Sequence, residues 1–178
     1  AIAKNLYYDE LRRKQKLSGM DALSNASAGE DLEQAVLDAD AAIILTERGI
    51  DVGAHFILGL PGETCQMMLD SCSLINSLPI RSVKFHQLQI VKGTKMEKEY
   101  AEVPQDFVRF TLEEYLDFFT DMLERLRPDL FIERFVGEVP PRFVNETPWG
   151  LIRNVELLRL LEKRLEERDT WQGRLIND

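Results

Sequence analysis

Residues 52–64 read VGAHFILGLPGET. Most of the first nine residues are apolar, which is typical of a strand that is buried on both faces of a parallel sheet. Pro61 and Gly62 end this strand, and Glu63 and Thr64 open a helix that we predict to extend to about Ser77. A buried strand that turns directly into a helix is a β-α unit, and this unit is the basis of the fold prediction.

The same pattern recurs on both sides of this unit. Apolar periodicity predicts a helix over 31–49, a strand over 82–91, a helix over 111–127, a strand over 130–136 and a helix over 149–167, with an irregular stretch before Thr111. Thr111 and Glu114 form a capping-box pattern at the start of the helix over 111–127. Alternating helices and strands predict an α/β fold with a parallel sheet, either a small open sheet or the later β-α units of a partial (β/α) barrel resembling a TIM barrel, followed by a C-terminal helical extension.

The charge balance restricts the partners. The 178 residues include 31 Asp and Glu and 22 Lys and Arg, which gives a net charge of −9. Nucleic-acid binding is unsupported, because phosphate contacts need clustered basic residues. The sequence contains no apolar run of about 18 residues and no leader pattern at its start, so we expect a cytoplasmic protein that does not bind membranes and keeps its thiols reduced.

The first 30 residues differ from the rest. Residues 6–17 suit a solvated helix, and residues 18–29 have the Ser, Ala and Gly content of a linker. The tripeptide Ser24-Asn25-Ala26 matches the remnant of a cleaved purification tag, although a chance tripeptide is an equal alternative. We therefore divide the chain into residues 1–30, a helical or linker segment that is tag-derived or displaced, and a domain over residues 31–178.

Cys65 and Cys72 are the only cysteines. Two thiols are too few for a zinc site of four cysteines or for the three thiolates of an iron–sulfur cluster, so no metal site is predicted in this chain. Their spacing places them on one face of the predicted helix over 63–77. We expect both to pack in the core.

The turn over residues 59–63 is the first candidate binding site. In α/β proteins ligands bind at the carboxyl ends of parallel strands, and Gly59 and Gly62 allow a ligand to approach the backbone closely. The free N–H groups of the following helix favour an anion or a polar group. The alternative is a tight structural turn in which Glu63 only complements the helix dipole.

The motif at residues 57–64, ILGLPGET, closely resembles a late-strand motif of radical S-adenosylmethionine (SAM) enzymes, in the branch with oxygen-independent coproporphyrinogen oxidase, methylthiotransferases and the elongator catalytic subunit. Further matches to a poorly characterised bacterial branch follow in order at residues 83–86, 92–94, 134–140, 148–149 and 171–173. The resemblance implies the C-terminal half of a radical SAM barrel. It implies SAM and a [4Fe–4S] cluster in the full-length protein, with the cluster-binding cysteine loop absent from this chain.

The resemblance also implies roles for individual residues. In that family the residue that matches Ile57 packs against the adenine of SAM. Ile57, Gly59, Pro61 and Gly62 would then form part of the wall of the pocket that holds the adenosyl group. Glu63 would lie in the turn that lines this pocket. The general pattern has glycine where this chain has His55. His55 therefore changes how closely the cofactor packs.

Strand alternation identifies candidate substrate residues. His55, Ile57 and Gly59 share one strand face, and Lys84 and His86 share a face of the next strand. Polar groups that point into a barrel need partners or a substrate. His86 is thus either a substrate or proton-transfer group or a satisfied core histidine, and Lys84 is either catalytic or paired with an acid in missing strands.

Two loops supply further candidates. Lys92 and Thr94 follow the second strand and would hold a ligand carboxylate or phosphate, with an ordinary solvated loop as the equal alternative. Arg142 would bind an acidic substrate group that Glu138 orients, and the alternative is a surface Arg–Glu pair. Trp149 and Trp171 are expected to anchor helix packing.

These observations favour an enzyme fragment over a binding module. The first hypothesis is the C-terminal part of a radical SAM enzyme that binds a small-molecule cofactor and abstracts hydrogen from an unidentified substrate. This chain alone would be inactive. The second is a non-catalytic α/β module that binds a ligand or a protein, with the glycine-rich turn as a structural cap. In the first case an open sheet edge is exposed, and oligomerisation through that edge is expected.

Overall fold

A computed structural model describes residues 41–144, 149 and 152–176 of the chain. Residues 41–47 are helical. The elements that follow are β1 Gly53–Leu58, α1 Cys65–Ser77, β2 Ser82–Gln87, α2 Lys95–Glu102, α3 Leu112–Arg125, β3 Phe131–Arg134 and α4 Asn154–Glu167, with short 3-10 turns at Pro104–Asp106 and Pro141–Phe143. The prediction for residues 1–30, and the first part of the helix predicted from residue 31, lie outside the described residues.

The three strands form one parallel sheet in the order β1-β2-β3. Ala54 pairs with Val83, and Ile57 pairs with His86. The α1 helix connects β1 to β2, and α2 and α3 connect β2 to β3, so both connections are crossovers of the β-α type. The predicted fold class is confirmed: the described residues form consecutive β-α units of a parallel sheet.

The core lies between the sheet and helices α1 and α3. Phe56 and Phe85 are fully buried on neighbouring strands, and the ring of Phe85 meets the edge of Phe119 at 5.1 Å between centroids. Met68 and Ile75 of α1 are buried in the same cluster. This apolar layer holds the strands in one orientation, so their alternate residues must point to the opposite face of the sheet.

The sequence prediction missed helix α2. Thr94 is its N-cap and accepts a hydrogen bond from the backbone N–H of Glu97, while the Glu97 carboxylate accepts one from Gly93 N–H. No residue of α2 is buried, so the segment lacks the apolar stripe that reveals a helix. The spacing of Thr94 and Glu97, which is that of a capping box, was the available signal.

Two boundaries and one burial expectation also differ. Strand β2 ends at Gln87 rather than near Val91, and α4 begins at Asn154 rather than near Trp149. Cys72 is buried as expected, but Cys65 is exposed because it lies in the first turn of α1, outside the contact with α3. Among the described helices, none has the length and apolar character needed to cross a bilayer.

Candidate functional site

The face of the sheet opposite the core carries polar side chains from every strand. On β1, His55 is exposed and Ile57 is half-buried, whereas Ala54 and Phe56, which alternate with them, are buried. On β2, Lys84 and His86 alternate with the buried Val83 and Phe85. We call the face that carries His55, Ile57, Lys84 and His86 the inner face; it is the face turned away from the buried core.

His86 has the most unusual surroundings on the inner face. Its ring stacks on that of His55, with 5.7 Å between centroids and 19° between the planes. Within the described structure, its Nε2 atom is shielded from solvent and has no hydrogen-bond partner. Burial, and after it the charges of Arg134, His55 and Lys84, together lower the pKa of His86 to about 4. The imidazole is therefore neutral at neutral pH.

The loop after β3 packs directly against His86. A Cβ atom at Gly137 would lie 2.7 Å from His86 Nδ1 and 3.3 Å from its Cγ, so only glycine fits without movement of the ring. The Gln87 side chain accepts a hydrogen bond from Gly137 N–H at 2.8 Å, and its amide donates to Gly137 O at 3.4 Å. Gln87 thus fixes the loop that confines His86. It was not a sequence candidate, although it is a polar residue at the carboxyl end of β2.

Lys84 has an acidic partner within the same sheet. Its Nζ lies 3.0 Å from Glu133 Oε2, and Ser82 Oγ donates to Glu133 Oε1 at 2.5 Å. Hydrogen bonds from Ser82 and then Lys84 lower the pKa of Glu133. The acid beside Lys84 in the described residues is therefore Glu133, which β3 of this same chain supplies.

The glycine-rich turn at the carboxyl end of β1 is held by its own amides. Gly59 and Gly62 have φ values of +81° and +78°, which favour glycine. The N–H of Leu60 donates to Glu63 Oε2 at 2.9 Å, and the N–H of Gly62 donates to Asp106 O at 2.7 Å. Glu63 thus stabilises the turn itself. Pro61 is half-buried between these two bonds.

Helix α1 begins one residue after the turn. Its N-cap is Thr64, whose hydroxyl accepts a hydrogen bond from Met67 N–H. The buried thioether of Met68, one turn into the helix, accepts a hydrogen bond from Gly59 N–H at 3.1 Å. The helix thereby fixes the carboxyl end of β1 from the core side and leaves Ile57 on the inner face.

The two candidate loops lie next to each other. Lys92 N–H donates to Phe143 O at 2.8 Å, and Val91 and Val144 form an antiparallel bridge. The Thr94 hydroxyl donates to Val91 O and caps α2. The sequence had indicated these loops separately, and the structure brings them together at the carboxyl ends of the strands.

Glu138 and Arg142 have separate partners rather than each other. Glu138 Oε1 accepts a hydrogen bond from Asn154 N–H, in the first turn of α4, at 3.0 Å. The Arg142 guanidinium lies over the Phe143 ring, 4.7 Å from its centroid. The described contacts therefore do not include the predicted pairing of these two side chains.

A small cleft lies at the same edge of the sheet. Its volume is about 20 Å³, and its lining includes two glutamines and an arginine that the sequence had not indicated: Leu58, Gln87, Leu88, Gln89, Val108, Arg109, Phe110 and Trp149. Trp149 Nε1 donates to Phe110 O at 2.7 Å, and its ring packs on Tyr115, as expected for a packing anchor. Trp171 differs from that expectation, since it is 60% exposed.

A larger cavity of about 480 Å³ lies at the opposite end of the sheet. Asp51, Arg81 and Asp129 are among its lining residues, at the amino ends of the strands. Active sites of parallel α/β proteins lie at the carboxyl ends of the strands. We therefore choose the small cleft over the larger cavity because of its location. The candidate site is therefore the inner face together with the turn and loops at its carboxyl end.

The described residues do not fit an iron–sulfur cluster. Nowhere in residues 41–144, 149 and 152–176 do three His, Cys, Asp or Glu side chains converge as a metal site. Cys65 is exposed, and Cys72 Sγ is directed at Met122 O in the core. Burial raises the pKa of Cys72 to about 12, which removes the thiolate that a metal requires.

Comparisons with known proteins agree with this arrangement. The chain is 31% identical over 132 residues to the uncharacterised protein YtqA of Bacillus subtilis, a match that covers 74% of this chain and 40% of YtqA. It is 32% identical over 127 residues to the uncharacterised protein MJ0486 of Methanocaldococcus jannaschii, covering 71% of this chain and 39% of that protein. The chain thus spans about two-fifths of the length of these curated relatives.

A solved structure shares the fold. It is that of archaeal Elp3 from Methanocaldococcus infernus with an N-terminal deletion, which superimposes with a TM-score of 0.63 at 17% identity, over 84% of this chain and 33% of that one. Residues 80–167 match the model of the radical SAM C-terminal domain. The chain therefore belongs to the radical SAM superfamily.

Proposed function

We propose that this chain is the C-terminal part of a radical SAM enzyme and that its inner face forms part of the SAM and substrate pocket. The observation that carries the proposal is the junction at the end of β1, where Ile57 lies on the inner face and the next residues form a turn fixed by its own amides. In the full-length protein, SAM and a [4Fe–4S] cluster would supply the radical chemistry for abstracting hydrogen from the substrate. The contribution of this chain is to position the reactants and exclude water.

The cofactor wall is assigned to β1 and its turn. Ile57 is half-buried and offers an apolar surface of the kind that an adenine ring packs against. Gly59, Pro61 and Gly62 keep the backbone close to that surface, and Glu63 holds the turn through Leu60 N–H. A rigid turn of this kind lowers the entropy lost when a ligand binds.

The substrate region is assigned to the rest of the inner face and to the adjoining loops. His86 and Lys84 are the candidate catalytic groups, with His55 stacked on His86. Lys92 and Arg142 lie in the adjoining loops at the carboxyl ends of the strands, and we include them in the substrate region. Thr94 and Glu138 bind backbone N–H groups at the starts of α2 and α4, so we assign them positioning roles.

The cluster ligands are assigned to a part of the full-length protein outside this chain. The described residues lack a suitable thiolate set, and the chain spans about two-fifths of its relatives. On this proposal residues 1–178 contribute one side of a pocket whose other side carries the cluster.

Binding of SAM to the full-length protein tests the proposal. We expect Ile57→Asp to weaken SAM binding at least about tenfold in calorimetry, because a carboxylate would be desolvated against adenine. Ile57→Leu keeps the apolar surface and serves as the matched control. Wild-type affinity in a folded Ile57→Asp variant would contradict the proposed cofactor wall. Absence of SAM binding in the unmodified full-length protein would instead favour the non-catalytic module.

A further inference from the structure

Strand β3 contains an irregularity that changes which side chains reach the inner face. Ser82 pairs with Phe131 and Val83 with Ile132, but Lys84 pairs with Arg134, so one residue of β3 is inserted between successive pairs. Bulges of this type redirect a side chain and are frequent next to active sites. Simple alternation would place Arg134 on the core side with Ile132, whereas the bulge places it opposite Lys84.

The bulge adds a positive charge that has no ion pair among the described residues. Glu133, the inserted residue, lies 3.0 Å from Lys84 and neutralises it. Arg134 is exposed, and the described part of the chain gives its guanidinium no ion pair and no hydrogen bond. Its charge nevertheless acts on His86 and lowers the pKa of that imidazole. Through its pairing with Lys84, two residues before His86 on the same strand, Arg134 lies beside the strand that carries the candidate catalytic histidine.

We propose that Arg134 binds an oxyanion of the substrate, either a carboxylate or a phosphate, beside His86 on the inner face. The inference rests on the proposed function, since it specifies the substrate class of the same site. A guanidinium carries five N–H donors in a planar arrangement that matches two oxygens of one oxyanion. Lys84 is already paired with Glu133, so Arg134 is the group that supplies the charge.

The two histidines of the chain allow a direct test. In the 178-residue chain with labelled imidazoles, His55→Gln assigns the two NMR signals. Inorganic phosphate is added at constant ionic strength, with chloride as the reference series. We expect phosphate to raise the pKa of His86, because the bound anion offsets the charge of Arg134. His55 of β1 and Lys84 of β2 also act on His86, and Glu133 of β3 pairs with Lys84; all three are kept unchanged in this comparison.

Variants identify the responsible side chain. Arg134→Ala is expected to weaken the phosphate response at least about tenfold, and Arg134→Lys to retain part of it. Arg81→Ala, at an exposed position paired with Asp51, is the matched control and should leave the response unchanged. An equal response in Arg134→Ala, or no response in the unmodified chain, would overturn the oxyanion site.

A second measurement separates the substrate from the cofactor, which carries a carboxylate of its own. If the oxyanion belongs to the substrate, Arg134→Ala leaves SAM affinity of the full-length protein within about twofold of wild type. A loss of SAM affinity equal to the loss of phosphate response would overturn the assignment to the substrate. The proposed cofactor wall is tested separately, because only Ile57→Asp changes it.

Discussion

The imidazole of His86 lies among charges from all three strands. His55 belongs to β1, Lys84 to β2 and Arg134 to β3, and each disfavours the protonated ring. Burial is the largest contribution, because a charged imidazole loses hydration that no described hydrogen bond to Nε2 replaces. Gly137 confines the ring further, so His86 is kept neutral and in one position.

This environment makes stability depend on His86 below neutral pH. The pKa is about 4 in the folded chain and near 6.5 when unfolded, so the unfolded state binds more protons between these values. The free energy of unfolding therefore falls as pH is lowered from about 6.5 towards 4. We expect His86→Gln to remove part of this loss in urea unfolding at pH 7, 5.5 and 4.5.

The matched control for this experiment is His55→Gln. His55 is exposed, so its replacement should leave most of the acid sensitivity in place. Identical pH dependence in His86→Gln and the unmodified chain would contradict the prediction, because it would show that protonation of His86 does not lower the free energy of unfolding.

Helices α3 and α4 are joined by a row of ion pairs. The arginines of α4 and the following residues face acids spaced along α3: Arg164 contacts Glu113 and Asp117, Arg168 contacts Asp121 and Glu124, and Arg174 approaches Glu124. Thr170 Oγ1 also donates to the buried Glu124 carboxylate at 2.6 Å. The pairs set the register of α4 on α3, while Leu157 and Leu161 are buried beneath them.

The residues after α4 strengthen this connection. Gln172 donates to the carbonyl oxygens of Arg127 and Leu130, and Gly173 N–H donates to Leu123 O. Gly173 has a φ of +85°, and a Cβ there would lie 2.9 Å from Pro128 Cδ. The motif at residues 171–173 therefore anchors the end of α3 and the turn into β3.

Arg164 is predicted to be the most important of the interhelical arginines. Its side chain is only 16% exposed and contacts three acids, including Glu167. Exposed pairs contribute about 0.2–1 kcal/mol each, so Arg164→Ala should lower the free energy of unfolding by about 1–2 kcal/mol. Urea unfolding at low and high salt measures this loss, which should shrink as salt increases.

Lys163→Ala is the control for Arg164→Ala. Lys163 pairs with Glu167 at 3.3 Å, but its side chain is 72% exposed. Its removal should change the free energy of unfolding by less than about 0.5 kcal/mol. Equal effects of the two variants would contradict a specific role for Arg164.

At the scale of the whole molecule, the two faces of the described sheet differ in character. Helices α1 and α3 pack against the core face, while the inner face carries polar and charged groups. In the described residues β1 pairs with β2 alone, so its other edge has no strand beside it. This arrangement is consistent with consecutive β-α units taken from a larger radical SAM barrel.

The missing thiolate set leads to a prediction for the whole chain. After anaerobic reconstitution with iron and sulfide, residues 1–178 should retain much less than one [4Fe–4S] cluster per molecule. Such a cluster is held by several cysteine thiolates, whereas of the two cysteines here one is exposed and the other is buried. Iron and sulfide analysis with the absorbance spectrum measures this. The full-length protein treated in parallel is the control, and a stoichiometric cluster on residues 1–178 would contradict the division of roles proposed above.

The order of strands and helices was determined by signals that lie within a few residues of one another. The apolar run of β1, the glycine turn at Gly59 and Gly62, and the capping box of Thr111 and Glu114 were predicted from the sequence and are present in the structure. Helix α2 was missed because it buries no side chain, so its local signal was capping alone. Such features depend on hydrogen bonds and periodicity inside one segment.

The composition of the candidate site depended on contacts between segments. Alternation predicted that Lys84 and His86 share a face, but only the pairing of β2 with β3 decided that Glu133 neutralises Lys84 and that Arg134 turns to the inner face. Gly137 lies 51 residues after His86 in the chain, yet it fixes that ring. The sequence alone therefore determined the elements and the family resemblance. Tertiary structure decided the partners, because strand register and burial join residues that no local pattern connects.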